Sequence, residues 1–310
     1  MRIIKPKASI IFDMEIDPNR KIEYIGRVCY NSEDKITADS HVKFISSLID
    51  KKHYSVTEHH VFVLEVSQQL YYEIKELNPK FLNMTFSCTI DDRHDELYLI
   101  SGSTRGFVDL YKKSSNIFLQ IILSFLSKRY PTLYGGKDIY GDITSIQKAL
   151  VKKELSFEDI QNLEPRIRNL HKYISAKVIC DRAIANEIVR HRTFSFSQAS
   201  TRYINYGKQK GITIIDSPFY TKGLKRFIWL YANKVSEISY LTLIKFFKST
   251  PQEARSVLTN SLKTELVMTN NIQGWNEFFI LRDHKDAHPQ IIEIAHELHL
   301  EFLRLGYLKY

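Results

Sequence analysis

The chain has 310 residues, 44% of them hydrophobic and 25% charged, enough for one large domain or two ordinary ones with a full core. Eleven glycines, eight prolines and 12% aromatics exclude disordered, collagen-like and fibrous classes. The three cysteines, Cys29, Cys88 and Cys180, exclude a disulfide scaffold, and the net charge of +9 favours an anionic partner.

Cysteine usage leads us to expect a reduced, cytoplasmic protein, and no C-x-x-C pair suggests zinc. Residues 1–7 lack an apolar run before a small-residue cleavage site, so no signal peptide is expected. No repeat of solenoid period and no Pro/Gly/Ser-rich linker divides the sequence, which predicts a single domain over 1–310 with an insertion.

In chain order, residues 39–51 read as a helix, with Val42, Ile45, Leu48 and Ile49 on one stripe. Residues 60–69 are rich in β-branched side chains and read as a strand. The span 113–170 carries helical patterns broken by Pro131, Gly135, Gly136 and Gly141, and reads as a helical insertion. Its apolar run at 117–126 is about half a membrane span and reads as a buried helix. Residues 174–180 are strand-like. A short helix is expected from there to about Arg192, then a polar, aromatic loop-to-strand stretch over 193–207.

Thr250-Pro251-Gln252-Glu253 is a capping box with proline at the first helical position. Residues 264–269 predict a strand, and Asn271 a cap for a helix running through Arg282. Ile291, Ala295, Leu298, Phe302 and Leu305 mark the final helix. Strands and helices without regular βαβ alternation predict an α+β fold, a central, mostly antiparallel sheet flanked by helices.

The densest polar constellation runs from Arg190 to Tyr203. Three arginines and His191 lie among hydroxyls there, and forked guanidinium donors suit phosphate oxygens. The spacing is specific. Arg190-His191-Arg192, seven residues, then Ser200 resembles the signature of flavin-dependent thymidylate synthases, with Arg202-Tyr203 following. Other blocks occur in that family's order: Arg27-Val28-Cys29-Tyr30, His53-Tyr54-Ser55-Val56-Thr57-Glu58-His59, Ala254-Arg255, and Leu281-Arg282 followed by Ala287-His288-Pro289-Gln290.

The resemblance implies methylation of dUMP at C5 to dTMP. Methylenetetrahydrofolate would supply the carbon and reduced FAD, recharged by NADPH, the hydride. It also implies a homotetramer that binds FAD between subunits; no metal is expected, because no HExxH pattern or other metal-ligand spacing occurs. No G-x-G-x-x-G follows a strand, so FAD is not expected on a dinucleotide-binding fingerprint. Arg282 is implied as the charge against the uracil edge, where it would favour loss of the N3 proton. Ser200 is the other catalytic candidate, read as a hydrogen-bond partner to substrate because no base stands near it in sequence. Substrate contacts are implied at Glu187, Arg190, Gln198, Ala199, Ser200, Thr201, Arg202, Arg255 and Arg282, with loop N–H groups and Arg202 taking the phosphate. Cofactor contacts are implied at His53, Ser55, Glu58, Arg190, His191, Arg192, Gln198, Asn271, Gln273 and Glu277.

Some positions depart from the family pattern. Val56 replaces a proline, Glu187 a frequent glutamine, Ser197 a frequent asparagine, Gln273 a common arginine and Glu277 an Asn or His. A carboxylate at Glu187 would need Arg190 or Arg202 to offset it. Elsewhere, His284 and His288 read as a loop or helix start. His59 and His60 should point to opposite faces, and His296 and His299 should lie at the edge of the last helix. Asp91-Asp92-Arg93-His94 reads as a solvated turn. Ser101–Gly106 reads as a turn too, with packing beside the Asn271 segment as its functional alternative. Two rivals remain: a degenerate nucleotide-binding relative, and a basic nucleic-acid-binding protein with aromatic stacking surfaces. The enzyme reading expects no nucleic-acid or membrane partner.

Overall fold

A computed structural model describes residues 1–11, 17–77, 84–90, 96–136, 139–141, 145, 149–209 and 211–308. The Asp91–His94 segment lies outside them. Two four-stranded antiparallel sheets carry the fold. The first runs in the order β4 (Thr85–Ile90), β5 (Glu96–Ser103), β3 (Val61–Val66), β6 (Val151–Glu154). The second runs β8 (Ser195–Gln198), β10 (Lys263–Asn271), β7 (Tyr173–Asp181), β2 (Lys7–Ile10). A short parallel pair joins β1 (Arg2–Ile4) to β9 (Thr213–Ile215).

The class is α+β, with the expected antiparallel sheet present twice. The second sheet is the better sealed. Residues 264–270 of β10 are all buried. Helices α12 (Ile272–Arg282) and α13 (Pro289–Arg304) bring Trp275, Phe278, Phe279, Ile291, Leu298 and Phe302 to that core. Asn271 caps α12, its side chain accepting from Gly274 N–H.

The first sheet packs under α1 (Pro18–Tyr30), α2 (Ser40–Asp50), α3 (Gln68–Glu76), α4 (Thr104–Ser114), α5 (Ile117–Arg129) and α6 (Pro131–Tyr134). Helix α5 buries Leu119, Ile121, Ile122, Leu123 and Leu126, as its apolar run required.

Several boundaries differ from expectation. The strand read over 60–69 stops at Val66, because Ser67 Oγ accepts from Leu70 N–H and starts α3. The span 113–170 holds α5, α6, α7 (Phe157–Gln161) and α8 (Pro165–His171), but also strand β6 on the edge of the first sheet. Helix α9 (Arg182–Ile188) ends four residues short of Arg192. Ser101–Gly106 is the end of β5 and the start of α4, with Ser103 as cap. The capping box at Thr250 forms, but α11 (Pro251–Ala254) lasts one turn.

Helix α10 (Gly223–Lys245) escaped sequence reading altogether. Its inner face is largely polar: Asn233, Ser236 and Glu237 are buried with Trp229 and Tyr240. Its outer face is apolar, with Leu224 72% exposed and Phe227, Ile228, Tyr231, Val235 and Ile238 along the same side. Among the described residues, no helix is long and apolar enough to cross a membrane.

Candidate active site

The Arg-His-Arg segment follows directly from the early end of α9. Asp181 caps that helix through Ile184 N–H, and after Ile188 the chain turns tightly, with His191 N–H donating to the Ile188 carbonyl and Phe194 N–H to the His191 carbonyl. The turn leaves Arg190 and Arg192 exposed and lays the His191 ring edge-on against Phe278, 5.0 Å between centroids. Arg282, the last residue of α12, donates its Nε–H to His191 Nε2 at 2.8 Å. Burial, reinforced by the Arg282 charge, pushes His191 down to about 4, so near neutral pH it is an acceptor. Glu187 lies 4.0 Å from Arg282 Nη1. Its carboxylate therefore meets Arg282, where Arg190 or Arg202 had been expected.

The Ser200 loop leaves the second sheet at β8. Ala199 N–H donates to the Glu265 carbonyl at 2.7 Å and Ser200 N–H to the Cys29 carbonyl at 3.1 Å. These two amides, expected to face a phosphate, are spent on the protein itself. Ser200 Oγ accepts from Arg202 N–H. Arg202 donates its Nε–H to Gln252 on α11 at 3.1 Å, one turn before exposed Arg255. Gln198 donates to Thr264 across the β8–β10 ladder. Thr201 is buried. Beside this loop opens a cavity of about 460 Å³ with Arg2, Lys208 and Lys263 in its wall, a size and charge suited to a phosphorylated small molecule.

The upstream block reaches the same loop through α1. His53 is bonded through Nδ1 to Tyr30 OH at 3.1 Å, and Tyr30 packs on Tyr203 at 5.8 Å. Ser55 is exposed beside it. Glu58 points elsewhere, into an ion pair with Arg105 at 2.5 Å, and Arg105 also holds Asp109 at 3.1 Å. These three line a cavity of about 90 Å³ with Ser103, Thr193, Ser195 and Thr269, so its walls come from both sheets.

His59 and His60 do face different ways. His59 is bonded to Ser197 and Thr269, whereas His60 packs edge-on to Phe62. His296 and His299 both meet Asp283, and His288 caps α13.

Of the ten implied cofactor residues, Glu58 alone lines that cavity. Asn271 commits its side chain to the α12 cap and, at 2.9 Å, to the Leu170 carbonyl. Gln273 and Glu277 are exposed along α12. Arg105, Asp109 and Thr193 were missed as wall residues. The signal for Arg105 was the Ser101–Gly106 segment, whose functional alternative placed it beside the Asn271 segment; it lies by Thr193 and Thr269, two residues short of Asn271. Among the described residues no cluster of three or more His, Cys, Asp or Glu is placed to hold a metal ion.

A family model described as thymidylate synthase complementing protein matches residues 11–70 and 170–305. Similar curated proteins are the flavin-dependent thymidylate synthases of Corynebacterium glutamicum (29% identical over 132 residues) and Mycobacterium tuberculosis (30% over 131 residues). Each alignment covers 37% of this chain and 51% of the relative, so the chain spans about half the length of the curated relatives it matches. A solved UMP/dUMP methylase, PolB from Streptomyces cacaoi bound with 5-Br dUMP, is 14% identical, with a TM-score of 0.41, over 98% of this chain and 93% of that one.

Proposed function

Because the chain belongs to the thymidylate synthase complementing protein family, we propose that it is a flavin-dependent thymidylate synthase that methylates dUMP at C5. Methylenetetrahydrofolate is the carbon donor and reduced FAD, recharged by NADPH, the hydride donor. The observation that carries this reading is the Arg282–His191 pair. It joins two family blocks 91 residues apart and fixes a cation where α12 ends.

A neutral His191 accepts from Arg282 and holds the guanidinium without cancelling its charge. Set against the uracil edge, that charge favours loss of the N3 proton and raises the electron density at C5. Arg202, steadied by Gln252, and Arg255 supply cations for the nucleotide phosphate. Ser200 shapes the loop and offers its hydroxyl to substrate. Tyr30 orients His53 beside the same loop.

The residues around Glu58 fit a flavin. A carboxylate, a guanidinium and the hydroxyls of Thr193 and Ser195 offer both acceptors and donors to a polar ring edge. A bound reduced flavin supplies the hydride that no side chain provides.

The resemblance further implies a homotetramer with shared sites, and the outward apolar face of α10 supports burial against another copy. The test is a visible spectrum of purified protein titrated with FAD, with and without dUMP, followed by an assay for dTMP. A saturable flavin spectrum that shifts with dUMP, together with dTMP formation, is expected. No saturable flavin binding in either condition overturns the reading.

A further inference from the structure

The two sheets repeat one another, strand for strand. In the first, β5 lies between β4 and β3, and β3 pairs with β6. In the second, β10 lies between β8 and β7, and β7 pairs with β2. The registers agree as well. Val61 faces Ser103 and Val63 faces Ser101, as Tyr173 faces Asn271 and Ser175 faces Thr269. Thr85 faces Ser101 and Ser87 faces Leu99, as Ser195 faces Thr269 and Ser197 faces Val267. One register read onto the other equates Val61 with Tyr173, Ser101 with Thr269, Ser103 with Asn271 and Ser87 with Ser197.

Side chains obey the same relation. Ser103 caps α4 through Gly106 N–H, and Asn271 caps α12 through Gly274 N–H. Ser67 and Asp181 cap the helices that follow β3 and β7. Two residues before β3, His59 bonds Thr269 through Nδ1 and Ser197 through Nε2. Two residues before β7, His171 bonds Ser101 through Nδ1 and Ser87 through Nε2. Each ring thus reaches into the opposite sheet and meets equivalent hydroxyls with equivalent nitrogens. That is what a two-fold relation between two copies of one unit produces.

The copies differ where a ligand would matter. Glu58, Arg105 and Asp109 in the first correspond to Leu170, Gln273 and Glu277 in the second. Around the first set lies the cavity of about 90 Å³. At the related place Tyr173, standing where the first copy has the shorter Val61, carries its hydroxyl to Thr85 at 2.7 Å. Asn271 closes onto the Leu170 carbonyl at 2.9 Å. Side chains therefore bridge the second cleft, and it has lost the guanidinium and one of the two carboxylates, keeping only Glu277.

We propose that the chain is two copies of one sheet-and-helix unit in tandem, and that only the cleft walled by Glu58, Arg105 and Asp109 binds ligand, taking the imide edge of a heteroaromatic ring. An imide edge presents carbonyl, N–H, carbonyl in a row. Carboxylates accept from its N–H and a guanidinium donates to its oxygens. A cavity of this size takes the edge of a ring rather than its whole area. Flavin and uracil both carry such an edge, and the choice of these two ligands rests on the function proposed above.

The experiment titrates FAD and dUMP separately into wild type, Arg105→Gln, Asp109→Asn and Leu170→Ala, by flavin fluorescence and by calorimetry, with a thermal melt of each variant. Arg105→Gln and Asp109→Asn should each weaken one of the two ligands by tenfold or more, with Leu170→Ala within twofold of wild type and one FAD per chain. Loss confined to FAD assigns the cleft to flavin; loss confined to dUMP assigns it to the uracil ring. Wild-type affinity for both ligands in a folded Arg105→Gln or Asp109→Asn variant overturns the proposal, as does an equal loss in Leu170→Ala or two FAD per chain. A wild type that binds dUMP but no FAD defeats the flavin reading and leaves the cleft to the dUMP arm. A wild type that binds neither defeats both.

Discussion

Arg282 and His191 stand 2.8 Å apart, one as donor and the other as a buried, neutral acceptor. Replacing the acceptor tests what the pair does. His191→Ala should lower kcat for dTMP formation by about 10- to 100-fold, the scale of a lost electrostatic positioning contact. His191→Gln, which keeps an acceptor oxygen, should recover a large part of it. Equal activity in both variants and wild type would remove the His191 contact from the mechanism.

His59 and His171 are buried, and burial pushes each down to about 3. In the unfolded chain both take up protons below about 6.5. The unfolded state then binds more protons than the native one, so stability is fully present above that pH and is lost as pH falls toward 3. At pH 5 the loss is on the order of 2 kcal/mol per histidine. Melts from pH 7.5 to 5 should show a steep fall, shallower in a folded His171→Gln variant. A flat profile in the wild type would contradict the burial of both rings.

Gln252 holds Arg202 by one bond, whereas Arg202 itself is proposed to hold phosphate. Arg202→Ala should weaken dUMP binding by roughly 30-fold, about 2 kcal/mol. Gln252→Ala should cost only a few-fold, since the guanidinium remains. Calorimetry that finds the two variants equal would place the phosphate elsewhere.

Gly274 sits where a Cβ would fall 1.9 Å from Asn270 Nδ2 and 2.4 Å from its Cγ. Asn270 in turn bonds Thr193, next to Arg192, at 3.2 Å. Gly274→Ala should destabilise the fold by about 1–3 kcal/mol and disturb the Arg-His-Arg turn. Denaturant unfolding with wild-type midpoint and slope would show that Asn270 yields without cost.

The outward face of α10 sets up a different measurement. Phe227→Glu with Tyr231→Glu should shift sedimentation toward smaller species while leaving the melting of the folded core nearly unchanged. Assembly unaffected by two new charges would mean that the copies meet through another surface.

Legibility in the sequence followed where burial is one-sided. β7, β10, α12 and α13 could be read because their apolar residues face one core at strand or helix spacing. Helix α10 inverts that rule, with Asn233, Ser236 and Glu237 inside and Leu224, Phe227 and Tyr231 outside, so its pattern pointed to no core. Strand β6 was missed because it is four residues of mixed polarity, Val151-Lys152-Lys153-Glu154, that pair with β3 at the sheet edge. At the site, motif spacing located Arg190–Arg202 and Arg282. It held no information on Arg105 and Asp109, which meet Glu58 only through the folding of a segment that the family model does not match.

The pairing of β2 with β7 also bears on how the chain is made. Ala8 lies opposite Val178, about 170 residues further along. At a synthesis rate of about 5–20 residues per second, β2 waits roughly ten to thirty seconds for its partner to leave the ribosome. Through that interval its ladder groups are unclaimed, and a strand from a neighbouring nascent chain competes for them. Lys5 and Lys7, in and beside this short edge strand, are the kind of charge that discourages such mispairing until the second sheet arrives.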